Sequence, residues 1–593
     1  MTVVQSELPV DVLILEDYLT TLFSQAFEKL SLEPKLAKVQ MSARPELGQF
    51  QCNGAMPLAK QLKKSPIQIA NDIINQVKDN LIFKDVTGVM PGFINITLND
   101  NFLADWMNQM LANSRLGCPK TETPQKVMMD FGGPNVAKPL HIGHIRSPLI
   151  GDCLQRVYRF YGDEVLSDVH LGDWGTQMGM LIEEIRKMYP DLPYFDENFT
   201  GTYPIEPPVT VDELSEIYPR SSVRCKENEN EMEKARLATA ELQKGRRGYR
   251  ALWQHFVNVS IAELKKDYAD LDIYFDLWKG ESDVQALIDD MVKNCLDNGV
   301  AKESQGAIII PVAEDDKTPP LILVKSDGAV MYGTTDLATI LERVQDYQAQ
   351  KIIYVVDKRQ SLHFKQVFTA AKKAGIAPNT ELIHIGFGTL NGKDGKPFKT
   401  RSGGVMRLST LIDEAKTRAS LREQEGLSRN EKEDIINKVA LATVKFADLS
   451  NVYTSDYIFD LDKFSQYEGK TGPYLLYSAV RIKSILRKLN YSVSGTLQYK
   501  ISKATNDAER NLQLTLTQLP LALQRTYDKC EPHHLCEYAY QVAVQFNKFY
   551  SESPIATEEN ETTQKSRIAL CQLTLKQLIL VLELLGIEIP ERM

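Results

Sequence analysis

The chain has 593 residues, 43% hydrophobic and 25% charged, with a formal net charge of −9. Its length exceeds what one core can organise, so about three or four domains are expected, and its negative balance argues against indiscriminate nucleic-acid binding while allowing an RNA held by local basic patches. No apolar run reaches the roughly eighteen residues of a membrane span, the start carries Glu7 and Asp11 in place of a secretory signal, and the eight scattered cysteines suit reduced thiols in a cytoplasm.

Residues 1–118 read as a small α/β module. An amphipathic helix over 13–30 precedes turn residues at 44–48, a second helical pattern over 55–78 and a strand at 93–98. Lys60, Lys63 and Lys64 form a modest basic face of the kind that is ordinarily just solvated.

A polar connector, 114–126, leads to the short apolar run Val127-Met128-Met129-Asp130-Phe131, bounded by Gly132-Gly133-Pro134, which reads as a buried strand. The loop Asn135-Val136-Ala137-Lys138-Pro139-Leu140 and then His141-Ile142-Gly143-His144 follow, before apolar residues recur at helical spacing from Ile145 to Tyr158. The two histidines thus sit at a strand-to-helix junction, where free backbone N–H groups and the helix dipole favour anions. Imidazole N–H donors and a glycine that admits a flat ring suit a nucleotide triphosphate. With 8 His and 33 Gly in the chain, chance placement of His-x-Gly-His is on the order of 0.6%, before its strand–loop–helix context is required.

A second strand at 165–169 completes a βαβ unit and delivers His170-Leu171-Gly172-Asp173-Trp174-Gly175-Thr176-Gln177 to the same cleft. Residues 183–275 read as an insertion with a proline-marked loop and a charged helical run at 227–247. Strands are expected again at 307–312, 321–325, 351–356 and 381–386. A helix from near Tyr332 to Tyr347, capped by Thr334 or Thr335, would set Tyr332 and Asp336 on one face. The glycine- and lysine-rich loop 392–404 can close over phosphates.

From Leu408 onward the period is helical. Tyr474, Tyr477 and Arg481 gather with Lys483, Arg487 and Lys488 on one segment, an aromatic and basic mixture able to stack on bases and hold phosphates. Cys530, His533, His534 and Cys536 crowd four possible ligands into seven residues without a second knuckle, so no metal site is expected there.

The run Pro134 to His144, together with residues 170–177, Tyr332 with Asp336, and the terminal Pro590-Glu591-Arg592-Met593, resembles the class I aminoacyl-tRNA synthetases, and within them the bacterial arginyl-tRNA synthetase family. The resemblance covers essentially the whole chain. It implies an N-terminal tRNA-binding α/β module (1–118), a Rossmann-type parallel-sheet catalytic domain (119–405, insertion about 183–275), a helical connector (406–465) and a C-terminal all-α anticodon-binding domain (466–593). The implied activity joins L-arginine to AMP from ATP and then to the terminal adenosine of tRNA(Arg), with Mg²⁺ bridging phosphates and with tRNA required even for activation. By that likeness Lys138, His141, His144, Lys399 and Arg401 serve catalysis, and Pro134, Asn135, Val136, Ala137, Pro139, Leu140, Ile142 and Gly143 bind ATP. Asp130, Asn135, His170, Tyr332, Asp336 and Gln366 bind arginine, and Tyr474, Tyr477 and Arg481 meet tRNA. A monomer is expected.

The usual Lys-Met-Ser-Lys-Ser is absent, with Phe398-Lys399-Thr400-Arg401-Ser402 in its place. Lys138 is expected to supply the charge that this altered loop lacks. Two other readings compete: a small nucleotidyltransferase, which leaves the insertion and helical C-terminus unexplained, and a silent tRNA-binding relative, which the intact histidines and basic loop disfavour.

Overall fold

The structure, a computed structural model, describes residues 13–313, 318–396, 406–422, 426–491 and 499–593. By contacts the chain divides into two units: residues 121–423 with 443–465, and residues 1–120 with 424–442 and 466–593.

Four apolar segments of the first unit pair as a parallel sheet: β1 (Lys126–Phe131), β2 (Glu164–Asp168), β3 (Lys351–Asp357) and β4 (Glu381–Phe387), in the order β4-β3-β1-β2. Parallel neighbours need crossovers, and helices α1 (Arg146–Tyr161) and α7 (Ser361–Lys373) supply two of them. From β1 the chain crosses to one side, to β2, while β3 lies on the other, so the sheet switches direction between β1 and β3. A crevice opens beyond the carboxyl ends of strands at such a switch. Gly151 brings α1 down onto β1, since a Cβ there would stand 2.1 Å from the Phe131 ring. Ser147 fastens the switch point, accepting the Gly132 N–H at 2.7 Å and donating to the Val355 carbonyl at 2.7 Å.

Between β2 and β3 run α2 (Thr176–Met188), the insertion helices α3 (Val211–Glu227), α4 (Glu229–Gln243) and α5 (Arg247–Ala269), and then α6 (Tyr332–Gln345). The segments expected at 307–312 and 321–325 form Ala307–Ile310 and Leu321–Val324. With Lys302–Ser304 they make a separate antiparallel sheet. Helix α6 begins at Tyr332, but neither Thr334 nor Thr335 caps it. Met331 is the N-cap, and the Thr334 hydroxyl donates instead to the Leu323 carbonyl at 2.6 Å.

In the other unit a four-stranded antiparallel sheet (Val39–Met41, Phe50–Cys52, Phe93–Leu98, Phe83–Val89 in spatial order) carries Leu15–Lys29. The helical pattern read at 55–78 is two helices, Ala55–Leu62 and Pro66–Val77, broken where Lys63 turns left-handed at φ 52°. Helices Asp100–Ala112, Gly472–Lys488, Asp507–Leu516, Leu519–Lys529, His533–Glu552 and Glu561–Leu584 belong to the same unit. Arg510 donates to Asp100 at 2.5 Å and to the Leu98 carbonyl at 2.9 Å, joining these helices to the small sheet module within the unit. All eight cysteines are unbridged and buried. Among the described residues no helix is long and apolar enough to cross a membrane.

Candidate active site

The chain leaves β1 at Phe131 and reaches a short 3₁₀ turn, Ile142–His144, just ahead of α1. Backbone pairing holds this turn on one side: the Ile142 N–H donates to the Met406 carbonyl at 2.9 Å, and the Leu408 N–H to the Leu140 carbonyl at 3.0 Å. The end of the basic loop region is thereby tied to the histidine turn. On the other side, the Val136 N–H donates to the Gly172 carbonyl and the Gly172 N–H to the Pro134 carbonyl. A Cβ at Gly172 would come within 2.2 Å of Asn135 Oδ1, so a larger residue there would displace the Asn135 side chain.

The rings of His141 and His144 stack with centroids 3.6 Å apart. His141 Nδ1 accepts the Gly143 N–H at 3.1 Å, and His144 Nδ1 accepts the His141 N–H at 3.2 Å. An Nδ1 that accepts carries no proton, so each neutral ring holds its hydrogen on Nε2. Burial, then the neighbouring Lys138 charge, lowers the His141 imidazole below its usual range. Burial, then His141 and Lys138, brings His144 to about 3. At neutral pH the turn offers two fixed Nε2–H donors without positive charge. The Lys138 ammonium stands nearby, over the Tyr218 ring of α3 at 4.9 Å from its centroid.

Across the cleft lies an acidic pocket. Asp130 and Asp168 both accept from Arg343 of α6, at 2.7 and 2.9 Å. His170 Nδ1 lies 3.7 Å from Asp168, and both its ring nitrogens are buried without a hydrogen-bond partner. Burial pushes this imidazole down, yet Asp168 and Asp130 outweigh it and raise the group to about 8. Asp336 bonds to His363 of α7. Tyr332 is 61% exposed, and its hydroxyl reaches within 3.4 Å of where a Cβ on Gly175 would stand. Glu281 enters from a backbone that pairs with the end of β2, its N–H donating to the Leu171 carbonyl at 3.1 Å. Burial first, with Asp173 and Asp336 adding to it against His170, brings its carboxyl up to about 7.

Residues 106–461 match the family described as tRNA synthetases class I (R), catalytic domain, residues 475–593 the DALR anticodon binding domain, and residues 17–98 the arginyl tRNA synthetase N terminal domain. The chain belongs to the class I arginyl-tRNA synthetase family. An arginine–tRNA ligase of Francisella tularensis subsp. novicida is 55% identical over 98% of this chain and 100% of its own, and one from Alkaliphilus oremlandii is 50% identical over 96% and 97%. The arginyl-tRNA synthetase structure of Plasmodium falciparum superposes with a TM-score of 0.80 at 27% identity, over 99% of this chain and 100% of its own. That of Thermus thermophilus shares the fold, with a TM-score of 0.79 at 22% identity over 98% and 100%.

Within this synthetase fold the residues read from sequence divide. His141, His144 and Lys138 come together, as do His170, Tyr332 and Asp336. Of the loop assigned to ATP, the side chains of Pro134, Val136, Ala137, Leu140 and Ile142 are buried, so they anchor the loop from beneath while Asn135 and Gly143 face out and Pro139 is half-buried. Asp130 is not a free ligand: one carboxylate oxygen is committed to Arg343. Gln366 is not with the arginine candidates in its bonding. Its amide donates to the Pro319 carbonyl at 2.7 Å, beside Val312, Thr318 and Thr369. Lys399 and Arg401 lie outside the described residues.

Tyr474, Tyr477 and Arg481 share one helix and one network. Arg481 donates to Asn547 at 2.7 Å and to the Tyr477 hydroxyl at 2.9 Å, and Asn547 donates to the Tyr474 hydroxyl at 2.9 Å. In the region where no metal is expected, Glu531, His533 and His534 do bring ligand atoms within 4.8 Å of one another, and His534 meets Glu531 at 2.8 Å. The Lys470 and Lys529 charges act on the same histidines and oppose a cation. Sequence reading missed Glu281 and Arg343. The buried acids Asp130 and Asp168 at equivalent strand ends were the available signal for a cation between them.

Proposed function

We infer that this chain activates L-arginine with ATP and passes the arginyl group to the terminal adenosine of tRNA(Arg). The observation that carries this reading is the pair His141 and His144, whose committed Nδ1 atoms leave two Nε2–H donors at a helix start facing an acidic pocket.

In the first step the arginine carboxylate, already ionised, attacks the α-phosphorus; the bond to the bridging oxygen breaks and pyrophosphate leaves. No base is needed, so rate comes from positioning and from charge stabilisation. His141 and His144 donate to phosphate oxygens, and Lys138 adds the cation. Lys399 and Arg401 share that work from the basic loop. In the second step the adenosine hydroxyl attacks the carbonyl carbon and AMP leaves.

The donor set at the turn consists of ring N–H, ammonium and backbone N–H groups, with none of the hard oxygens that magnesium prefers. A Mg²⁺ ion does not fit these side chains as its ligands.

A guanidinium is a planar fork of donors that pairs with carboxylates as an ammonium cannot. Asp336 and Glu281 receive it, Tyr332 lies alongside, and His170 borders the pocket. Asn135 meets the carboxylate and amino end. Asp130 contributes through the charge it shares with Arg343 and His170. The Tyr474–Tyr477–Arg481 face supports tRNA contact in a monomer that works in the cytoplasm.

Arginine-dependent ATP–pyrophosphate exchange, measured with and without tRNA, tests the reading. Lys138→Ala should slow it by a hundredfold or more, about 2.7 kcal/mol. No exchange by the wild type under either condition, or an unimpaired Lys138→Ala, refutes the assignment.

A further inference from the structure

Helix α3 belongs to the insertion and carries none of the motifs that mark the family, yet it meets the histidine turn at two points. Asp212 and Ser215, in its first turns, receive Arg407 at 3.2 and 3.4 Å, and Arg407 is bridged through the backbone to His141. Farther along the helix, the half-buried Tyr218 presents its ring to Lys138, the ammonium standing 4.9 Å from the centroid.

We propose that Tyr218 is a positioning residue for Lys138, its ring face holding the ammonium at the turn where ATP is bound. The inference rests on the reading of Lys138 as the ATP-side cation. A lysine side chain otherwise samples many rotamers, all but one of which must be given up when it meets phosphate. An aromatic face attracts the ammonium through the ring quadrupole. It accepts no conventional hydrogen bond, so the three N–H donors stay available to phosphate oxygens. A carboxylate in the same place would cancel the charge and compete for those donors. The ring does neither. The exposed Asp212–Arg407 contact is a second, weaker point of approach between α3 and the turn.

The test is pyrophosphate exchange by the full chain with arginine and tRNA present, read as KM for ATP and as kcat. Tyr218→Phe keeps the ring and should stay within about twofold. Tyr218→Leu removes it and should lose roughly 3- to 30-fold in kcat/KM for ATP. In a Lys138→Ala background Tyr218→Leu should cost nothing further. Should Tyr218→Leu fail to fold, phenylalanines of increasing fluorination at position 218 preserve the shape while draining the ring's negative face, and activity should fall in step. Equal effects of Phe and Leu, additive losses in the double variant, or indifference to fluorination overturn the inference alone. An unimpaired Lys138→Ala removes the ATP reading of that lysine, and the inference with it.

Discussion

Asp130 and Asp168 are register neighbours at the carboxyl ends of adjacent parallel strands, and one guanidinium, that of Arg343, holds both. Burial works against the charged form of each acid. Asp168 nonetheless stays well below the usual carboxylate range beside His170 and Arg343, while burial leaves Asp130 raised. Arg343 is 1% exposed, so removing it leaves two carboxylates facing each other away from water. Arg343→Met should destabilise the fold by about 3–5 kcal/mol. Arg343→Lys should recover only part of it: one nitrogen, Nη2, makes both bonds, and an ammonium brought to that point lacks the planar group that packs over the Tyr354 ring. Thermal melting of the three proteins checks this. A lysine variant melting with the wild type contradicts it.

Two histidines of one cleft titrate in opposite directions, and stability should bend at both ends of the pH range. The His144 imidazole falls to about 3 from its ordinary 6.5, so the unfolded chain binds the proton first. Its contribution is present above 6.5 and is lost as pH drops towards 3. His170, raised to about 8, contributes fully below 6.5 and loses that contribution as pH rises through 8. His144→Gln should therefore flatten the acid side of a Tm-against-pH curve, and His170→Gln the stretch between about pH 6.5 and 8. The same slopes in variant and wild type argue against these states.

What the sequence displays depends on which forces are local. The run Val127 to Phe131, the helical period after Ile145 and the glycine between two histidines are signals confined to a few residues, and β1, α1 and the turn are found where they point. Strand order is not local. That β3 lands beside β1 on the side away from β2 follows from packing across some two hundred residues. Glu281 was hidden for the same reason: it reaches the cleft because residues 276–281 return to pair beside β2, and no motif marks that return. Gln366 shows the converse. The family likeness sets it among the arginine-binding residues, but the Pro319 carbonyl takes its amide.

Asp336 reaches the pocket from α6 with His363 of α7 bonded to its carboxylate, so two helices fix its orientation. Asp336→Ala should lower kcat/KM for arginine by 10² to 10³, roughly 3–4 kcal/mol, and shrink the preference over lysine. His363→Ala should raise KM for arginine less, by about tenfold, since the charge remains and only its placement loosens. Gln366→Ala should leave arginine KM within about twofold. Exchange assays over a range of arginine and lysine concentrations separate the three. An Asp336→Ala enzyme that still prefers arginine removes Asp336 from the pocket.

Glu281 should make arginine binding sensitive to pH near neutrality. With its carboxyl at about 7, raised by burial and by Asp173 and Asp336, much of the free enzyme carries it protonated at pH 6. A guanidinium pairs with the ionised form, so arginine favours loss of that proton, and apparent affinity should rise with pH. Between pH 6 and pH 8 the ionised fraction grows roughly tenfold for a group of that pKa, and KM for arginine should fall by a similar factor. Glu281→Gln cannot ionise and should bind arginine more weakly, with a shallower dependence of KM on pH. His144, at about 3, stays neutral throughout the window, whereas His170, at about 8 and acting on Glu281, loses charge within it, so His170→Gln is measured alongside. Arginine KM measured by pyrophosphate exchange from pH 6 to 8 in both proteins decides the matter: a flat wild-type profile, or one that Glu281→Gln reproduces, takes Glu281 out of arginine recognition.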